Sequence, residues 1–323
     1  MGRDTDAEAT DVTAGRVHFI VGMSLSGITP LSRCLNLHPD VAVFGESRFF
    51  GRCYVEPSLA AGYDAAELGR ILRVLRQFRW RATVGDEPGC LRKVSLVQFR
   101  RLLEETFSRA KTPIPPGALF TMLAERVADA EGKRYAFEKT PHHLNWVDRI
   151  VRHLPASRFV VFRCEPYAFA RFHHAQGALY HPLATALLWR GYMRSYERAA
   201  RRYPDRIVVV DASELVRDGT AALNRVQQFF GLELLDLSGP LAPFSSEFAA
   251  SVARADPADV FWINLLCGRL MRRHGYARTW ASLAARPILA SLLSLPGWCI
   301  RALPWFKGTS GSVHSYLAHW LKP

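Results

Sequence analysis

The sequence predicts an α/β fold: a parallel sheet of about five strands flanked by helices, followed by a basic C-terminal helical extension. Three observations predict it. Short β-branched and aromatic runs, above all Val17–Val21, Arg158–Phe162 and Ile207–Val210, alternate with longer segments of helical rhythm, as buried parallel strands and their crossover helices do. A Gly/Ser loop over 22–29 joins the first run to a helical segment at Leu31–Leu35, the opening of a βαβ unit. Charge is divided unevenly. The 323 residues carry a net charge of +13, yet the last acid is Asp259, and the final 64 residues hold eight basic residues. That leaves +5 to residues 1–259, so the basic balance is no sign of a nucleic-acid-binding core, and no nucleic acid partner is expected.

Taken in order, residues 1–15 hold Asp4, Asp6, Glu8 and Asp11 without an apolar stretch, and read as a flexible N-terminal tail rather than a signal or transit peptide. Val17–Val21 runs into Gly22 as a buried strand, and Val41–Phe44, closed by Gly45-Glu46, is a second one. Residues 64–80 and 93–110 read as amphipathic basic helices separated by the turn Asp86-Glu87-Pro88-Gly89, and 117–131 as another helix. Tyr135–Phe137 is a short strand, Pro141 starts a helix ending near Pro155, and Arg158–Phe162 is a strand. A long helix over 183–203 leads through Pro204-Asp205 to the strand Ile207–Val210. Residues 219–230 form a helix capped at Gly231, the Pro/Ser/Ala-rich 236–256 a loop, and 257–274 a helix stopped at Gly275, each by the usual start and stop residues. The domain then spans 16–277 and the extension 278–323. No segment reaches the roughly 20 apolar residues of a membrane span.

Six cysteines (Cys34, Cys53, Cys90, Cys164, Cys267, Cys299) stand without CxxC or CxxxC spacing, and the histidines add none. They read as reduced, mostly buried thiols of a cytoplasmic protein, with no metal expected. The chemistry concentrates after the first strand. A glycine loop between strand and helix aims backbone N–H groups at one spot and makes an anion site. Gly22 and Gly27 permit the tight turn, while Ser26 and Thr29 bring hydroxyls. No Gly-Lys-Ser/Thr follows, so this is not the Walker A loop of ATP-binding proteins, and alone it is equally an ordinary βα turn.

Its neighbours add Asn36-Leu-His-Pro-Asp-Val41, Gly45-Glu-Ser-Arg-Phe-Phe50, Phe137-Glu-Lys-Thr-Pro-His-His-Leu144 and Arg158-Phe-Val-Val-Phe-Arg163. Later come Trp189–Arg198, Asp211–Val216, Phe229-Phe-Gly-Leu232 and Leu270–Tyr276. With these segments, over 16–277, the chain resembles the sulfotransferases that use 3′-phosphoadenosine 5′-phosphosulfate (PAPS), in the bacterial branch akin to tyrosylprotein sulfotransferases, which have a P-loop-like α/β fold. The resemblance implies that the loop, here Gly22 with Ser24, Leu25, Ser26, Gly27, Ile28 and Thr29, binds the 5′-phosphosulfate. It is a degenerate loop: Leu25 stands where the family has arginine, and Ile28 replaces the first threonine. It implies that Arg163 binds the 3′-phosphate, whereas Arg171 or Phe172 occupies the family's serine position. Arg171 is read either as a second phosphate cation or as a solvated helix arginine. Glu46 matches the general base, a role that a carboxylate at the mouth of a sheet fills where partial burial raises its pKa toward the working pH; read without the resemblance it is a surface Glu near a turn. Lys139 matches the electrophilic lysine, and Arg33 and Arg48 are read either as reserve cations or as structural or substrate-binding residues.

The implied activity is transfer of a sulfuryl group from PAPS to a hydroxyl of a small molecule, glycan or lipid. The departures at Leu25, Ile28 and the serine position keep open a sulfotransferase-like pseudoenzyme or nucleotide-binding protein. The bursts of Leu, Ile and Trp in 280–323, cut by Pro287, Pro296 and Pro304, read as broken amphipathic helices. They suit an anionic membrane surface, here the inner face, or packing on protein.

Overall fold

The computed structural model describes residues 15–24, 27–77, 96–175, 181–252, 256–279 and 285–306. Its strands are β1 (Val17–Gly22), β2 (Val41–Gly45), β3 (Tyr135–Lys139), β4 (Phe159–Arg163) and β5 (Ile207–Asp211). They form the expected five-stranded parallel sheet, in the order β2-β3-β1-β4-β5. Every residue of β1, β2 and β3 is buried, whereas β5, one of the two edge strands, buries only alternate residues, and strands covered on both faces tolerate long apolar runs such as that of β1.

The helices are α1 (Ile28–Leu37), α2 (Ala65–Gln77), α3 (Leu96–Arg109), α4 (Pro116–Glu131), α5 (Val147–His153) and α6 (Pro166–Ala175), then α7 (Pro182–Arg202), α8 (Ala212–Arg217), α9 (Gly219–Phe230), α10 (Ala242–Val252), α11 (Pro257–Arg273) and α12 (Ala285–Phe306). Their ends follow capping chemistry. Asp218 and Asp256 accept the backbone N–H of Ala221 and Ala258, and Gly231 closes α9 at φ 66°, as caps of both kinds require.

By contacts the chain divides into two compact units: residues 1–20, 36–140 and 146–159, and residues 21–35, 141–145 and 160–323. The first unit is centred on aromatic rings. Phe120 of α4 stacks on Phe19 at 5.6 Å and meets Phe49 and Phe50 at 5.1 Å each. In the second, α7 packs along α11, and Trp189 donates its Nε1–H to the Cys164 carbonyl at 2.9 Å. The described cysteines Cys34, Cys53, Cys164 and Cys267 are free and buried. Burial pushes the thiols of Cys34, Cys53 and Cys267 up to about 12, so they stay protonated and inert.

Three expectations change. The segment 236–256 is not a loop: a 3₁₀ turn over Gly239–Leu241 leads into α10. Phe244 and Phe248, one helical turn apart, are buried and pack on Phe172, and that apolar pair outweighs the Pro/Ser composition. The helix expected from Pro141 opens as a 3₁₀ segment, Pro141–Trp146, before α5. Over 285–306 the broken helices expected after 280 are instead the single 22-residue α12, and the segments expected at 280–284 and 307–323 lie outside the described residues. Pro287 lies in its first turn, where the missing N–H has no intrahelical partner anyway. Farther along, Ser291 fixes α12, accepting from Trp262 Nε1 at 3.1 Å while its carbonyl meets His181 Nε2 at 2.9 Å. No described helix is long and apolar enough to cross a membrane.

Candidate active site

In the first unit, β2 and β3 deliver Glu46 and Lys139 to the same place. Their register pairs Gly45 with Lys139, and the Glu46 N–H donates to the Lys139 carbonyl at 3.1 Å. Lys139 Nζ then lies 3.4 Å from Glu46 Oε1, and Arg48 Nη2 lies 3.1 Å from Oε2. The Lys139 side chain is 3% exposed and that of Glu46 34%. One carboxylate thus faces solvent in part while two cations hold it from behind. Glu46 and Arg48 have φ of 27° and 50°, a left-handed conformation that costs non-glycine residues on the order of 1–3 kcal/mol and persists only where surroundings impose it.

The imposing group is Glu138. It is fully buried, and its Oε1 accepts from the Ser47 N–H at 2.8 Å, the Ser47 hydroxyl at 2.7 Å and the Thr140 hydroxyl at 2.5 Å. Thr140 Oγ1 in turn accepts the Arg48 N–H at 3.2 Å. One buried carboxylate therefore pins Ser47, between the two strained residues, directly, and the Arg48 N–H through Thr140. Glu138 was not among the residues expected to matter, although an acid inside an apolar strand run must be hydrogen-bonded somewhere and is a readable signal.

In the second unit, the glycine loop is built by close approach. Gly22 has φ 135°, and a Cβ there would stand 2.1 Å from the Phe162 carbonyl oxygen; Gly27 has φ 103°, and its Cβ would strike the Phe244 ring at 2.3 Å. Ser24 Oγ lies 3.1 Å from Tyr192 OH, which lies 2.6 Å from His142 Nδ1. Ile28 and Thr29 open α1, so its unpaired N–H groups follow the loop directly. Leu25 and Ser26 lie outside the described residues.

Arg163, at the end of β4, enters a network. Its Nη1 is 3.2 Å from His274 Nδ1, its Nη2 3.8 Å from Asp211 Oδ2, and its guanidinium lies over the Tyr196 ring at 5.0 Å. Its Nε is buried without a hydrogen-bond partner among the described residues. Tyr276 donates to Asp211, and Glu197 takes His274 Nε2 at 3.0 Å. Arg171 stands partly exposed on α6, and Arg33 lies on α1.

Beside Arg163, Glu165 caps α6 by accepting the Ala168 N–H at 2.7 Å, and its other oxygen is buried without a partner among the described residues. Burial pushes its carboxyl from the ordinary 4.5 up to about 7. The folded state thus favours the protonated form, a stabilisation complete below pH 4.5 and lost as pH rises through about 7, as linkage requires. Glu165→Gln is therefore expected to raise the thermal midpoint by about 2–6 °C at pH 8, with no gain at pH 4.5. An equal shift at both pH values would show that the carboxyl's ionisation is not the cause.

Among the described residues no group of three or more His, Cys, Asp or Glu side chains stands close enough to hold a metal ion. The model of the sulfotransferase family matches residues 18–236 of the chain. A sulfotransferase structure from Alicyclobacillus acidocaldarius is 16% identical with a TM-score of 0.42, covering 79% of this chain and 96% of its own. The sulfotransferase domain of the Synechococcus PCC 7002 olefin synthase is 18% identical with a TM-score of 0.44, covering 88% and 96%. No curated protein matches. The family match, not these overlays, carries the assignment.

Proposed function

The chain belongs to the sulfotransferase family, and on that premise we propose that it moves a sulfuryl group from PAPS to a hydroxyl of a small molecule, glycan or lipid, leaving 3′-phosphoadenosine 5′-phosphate (PAP) and a sulfate monoester. The observation that carries this reading is the Glu46–Lys139–Arg48 cluster at the ends of β2 and β3. Glu46 offers a fixed carboxylate, open to solvent on one side, that takes the proton of the acceptor hydroxyl. Lys139 is immobilised by burial, and its ammonium offsets negative charge developing beside it without having to reorganise. Because Leu25 stands where the family has arginine, Lys139 bears more of that duty.

PAPS, when bound, supplies the activated sulfuryl group. In this reading Gly22, Leu25, Ser26, Gly27, Ile28 and Thr29 receive its phosphosulfate, and Arg163 with Arg171 its 3′-phosphate. The glycine conformations and the α1 N-terminus fit an anion. Arg163 fits more narrowly, since Asp211 and His274 already face its terminal nitrogens.

A thermal-shift titration tests the donor. PAP at 100 times its Kd is expected to add about 2.7 kcal/mol of stability. No shift of the thermal midpoint at millimolar PAP would overturn the nucleotide site and leave the binding-protein alternative without support as well. The extension 278–323 supports a second, separate contact: α12 exposes Leu289, Leu292 and Leu293, and the tail has no acid, as suits an anionic membrane surface. Truncation after Ala277 should then move the protein from the pellet to the supernatant when it is sedimented with anionic liposomes, and an unchanged distribution refutes the contact.

A further inference from the structure

The second unit holds a pocket of about 530 Å³ between α7 and α11, which meets the Arg163 network at Glu197, the acceptor of His274. Arg190, Arg194 and Glu197 line it from one face of α7, at helical spacing; Arg269, Arg272 and Arg273 line it from α11, and Arg278 follows just beyond that helix. Six guanidinium groups therefore share one concavity with a single carboxylate. That carboxylate is already committed, since Glu197 Oε1 takes Arg273 at 2.8 Å and His274 at 3.0 Å. Among the described residues the other five arginines make no ion pair.

One wall of the pocket is specifically shaped. Gly268 sits inside α11, where glycine is a poor helix residue, and a Cβ at that position would lie 1.5 Å from Arg278 Nη2 and 2.3 Å from its Cζ. The missing side chain leaves room for the Arg278 guanidinium against the helix. Crowding like charges is unfavourable unless an anion joins them, and planar guanidinium forks match the oxygens of phosphate and sulfate.

We propose that this pocket is a second binding site, distinct from the Glu46–Lys139 cluster, for a ligand bearing phosphate or sulfate ester groups. Leu265, Leu266 and Leu270 complete its lining, so an apolar portion next to the anionic head is accommodated too. Volume agrees with a small-molecule head group, within the roughly 300–1,000 Å³ of ordinary ligand sites.

Calorimetric titration of the full chain with inorganic pyrophosphate tests this. Arg269→Ala/Arg272→Ala is expected to weaken binding by roughly tenfold or more, and Gly268→Ala, which evicts Arg278 while favouring the helix, should weaken it in the same direction. Arg70→Ala/Arg73→Ala on α2 removes the same charge elsewhere and should leave affinity within about twofold, as surface charge at a distance does. Absence of pyrophosphate binding to the natural chain, or equal losses in the α2 control, overturns the site. Phosphatidylglycerol vesicles added as competitor separate the sources. A raised apparent Kd for pyrophosphate identifies a lipid head group entering the pocket, and an unchanged one identifies a soluble ester.

Discussion

Glu46→Gln is expected to lower sulfuryl transfer by about 10²–10⁴-fold while PAP still raises the thermal midpoint. Glutamine keeps the shape of the side chain and can stay beside Lys139 and Arg48, now 3.4 and 3.1 Å from the carboxylate, but its amide oxygen is too weak a base to take a hydroxyl proton. The fold should tolerate the change, because a partly exposed ion pair contributes only about 0–1 kcal/mol and Ser47, between the strained residues Glu46 and Arg48, is held by Glu138, not by the Glu46 carboxylate. Loss of rate together with retained nucleotide stabilisation separates a base from a donor-binding residue. Turnover within threefold of the natural chain would remove Glu46 from the role, and loss of the PAP effect would move it into donor binding.

The parts of this protein that could be read from the sequence are those with local causes. Val17–Val21, Arg158–Phe162 and Ile207–Val210 are apolar runs too short for helices and match β1, β4 and β5 to within one or two residues. Glu46 and Lys139 could be paired only through the resemblance, because 93 residues separate them and nothing local says that β2 and β3 are neighbours. Helix α10 escaped because its cause is tertiary: Phe244 and Phe248 find Phe172, while the surrounding Pro, Ser and Ala give no periodic stripe. Proline punctuation misled in α12: Pro287 falls in its first turn, and the contacts of Ser291 with Trp262 and His181 dock the turn that follows. Glu138 was visible as a residue and invisible as a support, since its meaning lies in the three donors that converge on it. The basic excess has a similar history. Counting along the chain directs attention to residues after Asp259, and four of the six arginines of the pocket do lie there, but Arg190 and Arg194 join them from α7, which the count along the chain does not show.

Lys139→Met is expected to reduce kcat by about 10²–10³-fold with a much smaller change in the acceptor KM. Methionine fills the buried stem that leaves Lys139 only 3% exposed, so packing survives and the ammonium alone is lost. That charge matters more in the transition state than in the ground state, because negative charge moves onto the departing group only as the bond to sulfur breaks, and interactions of that kind lower kcat rather than raise KM. The chain has few substitutes: Arg48 is bound to the opposite oxygen of Glu46, and residue 25 is leucine. The double variant Glu46→Gln/Lys139→Met gives the sharper result. Groups that act as one unit lose their effect together, so its rate should lie near that of the slower single variant. Multiplicative losses would mean that the 3.4 Å contact joins two independent contributors, and a Lys139→Met variant with intact kcat would take the lysine out of the chemistry altogether.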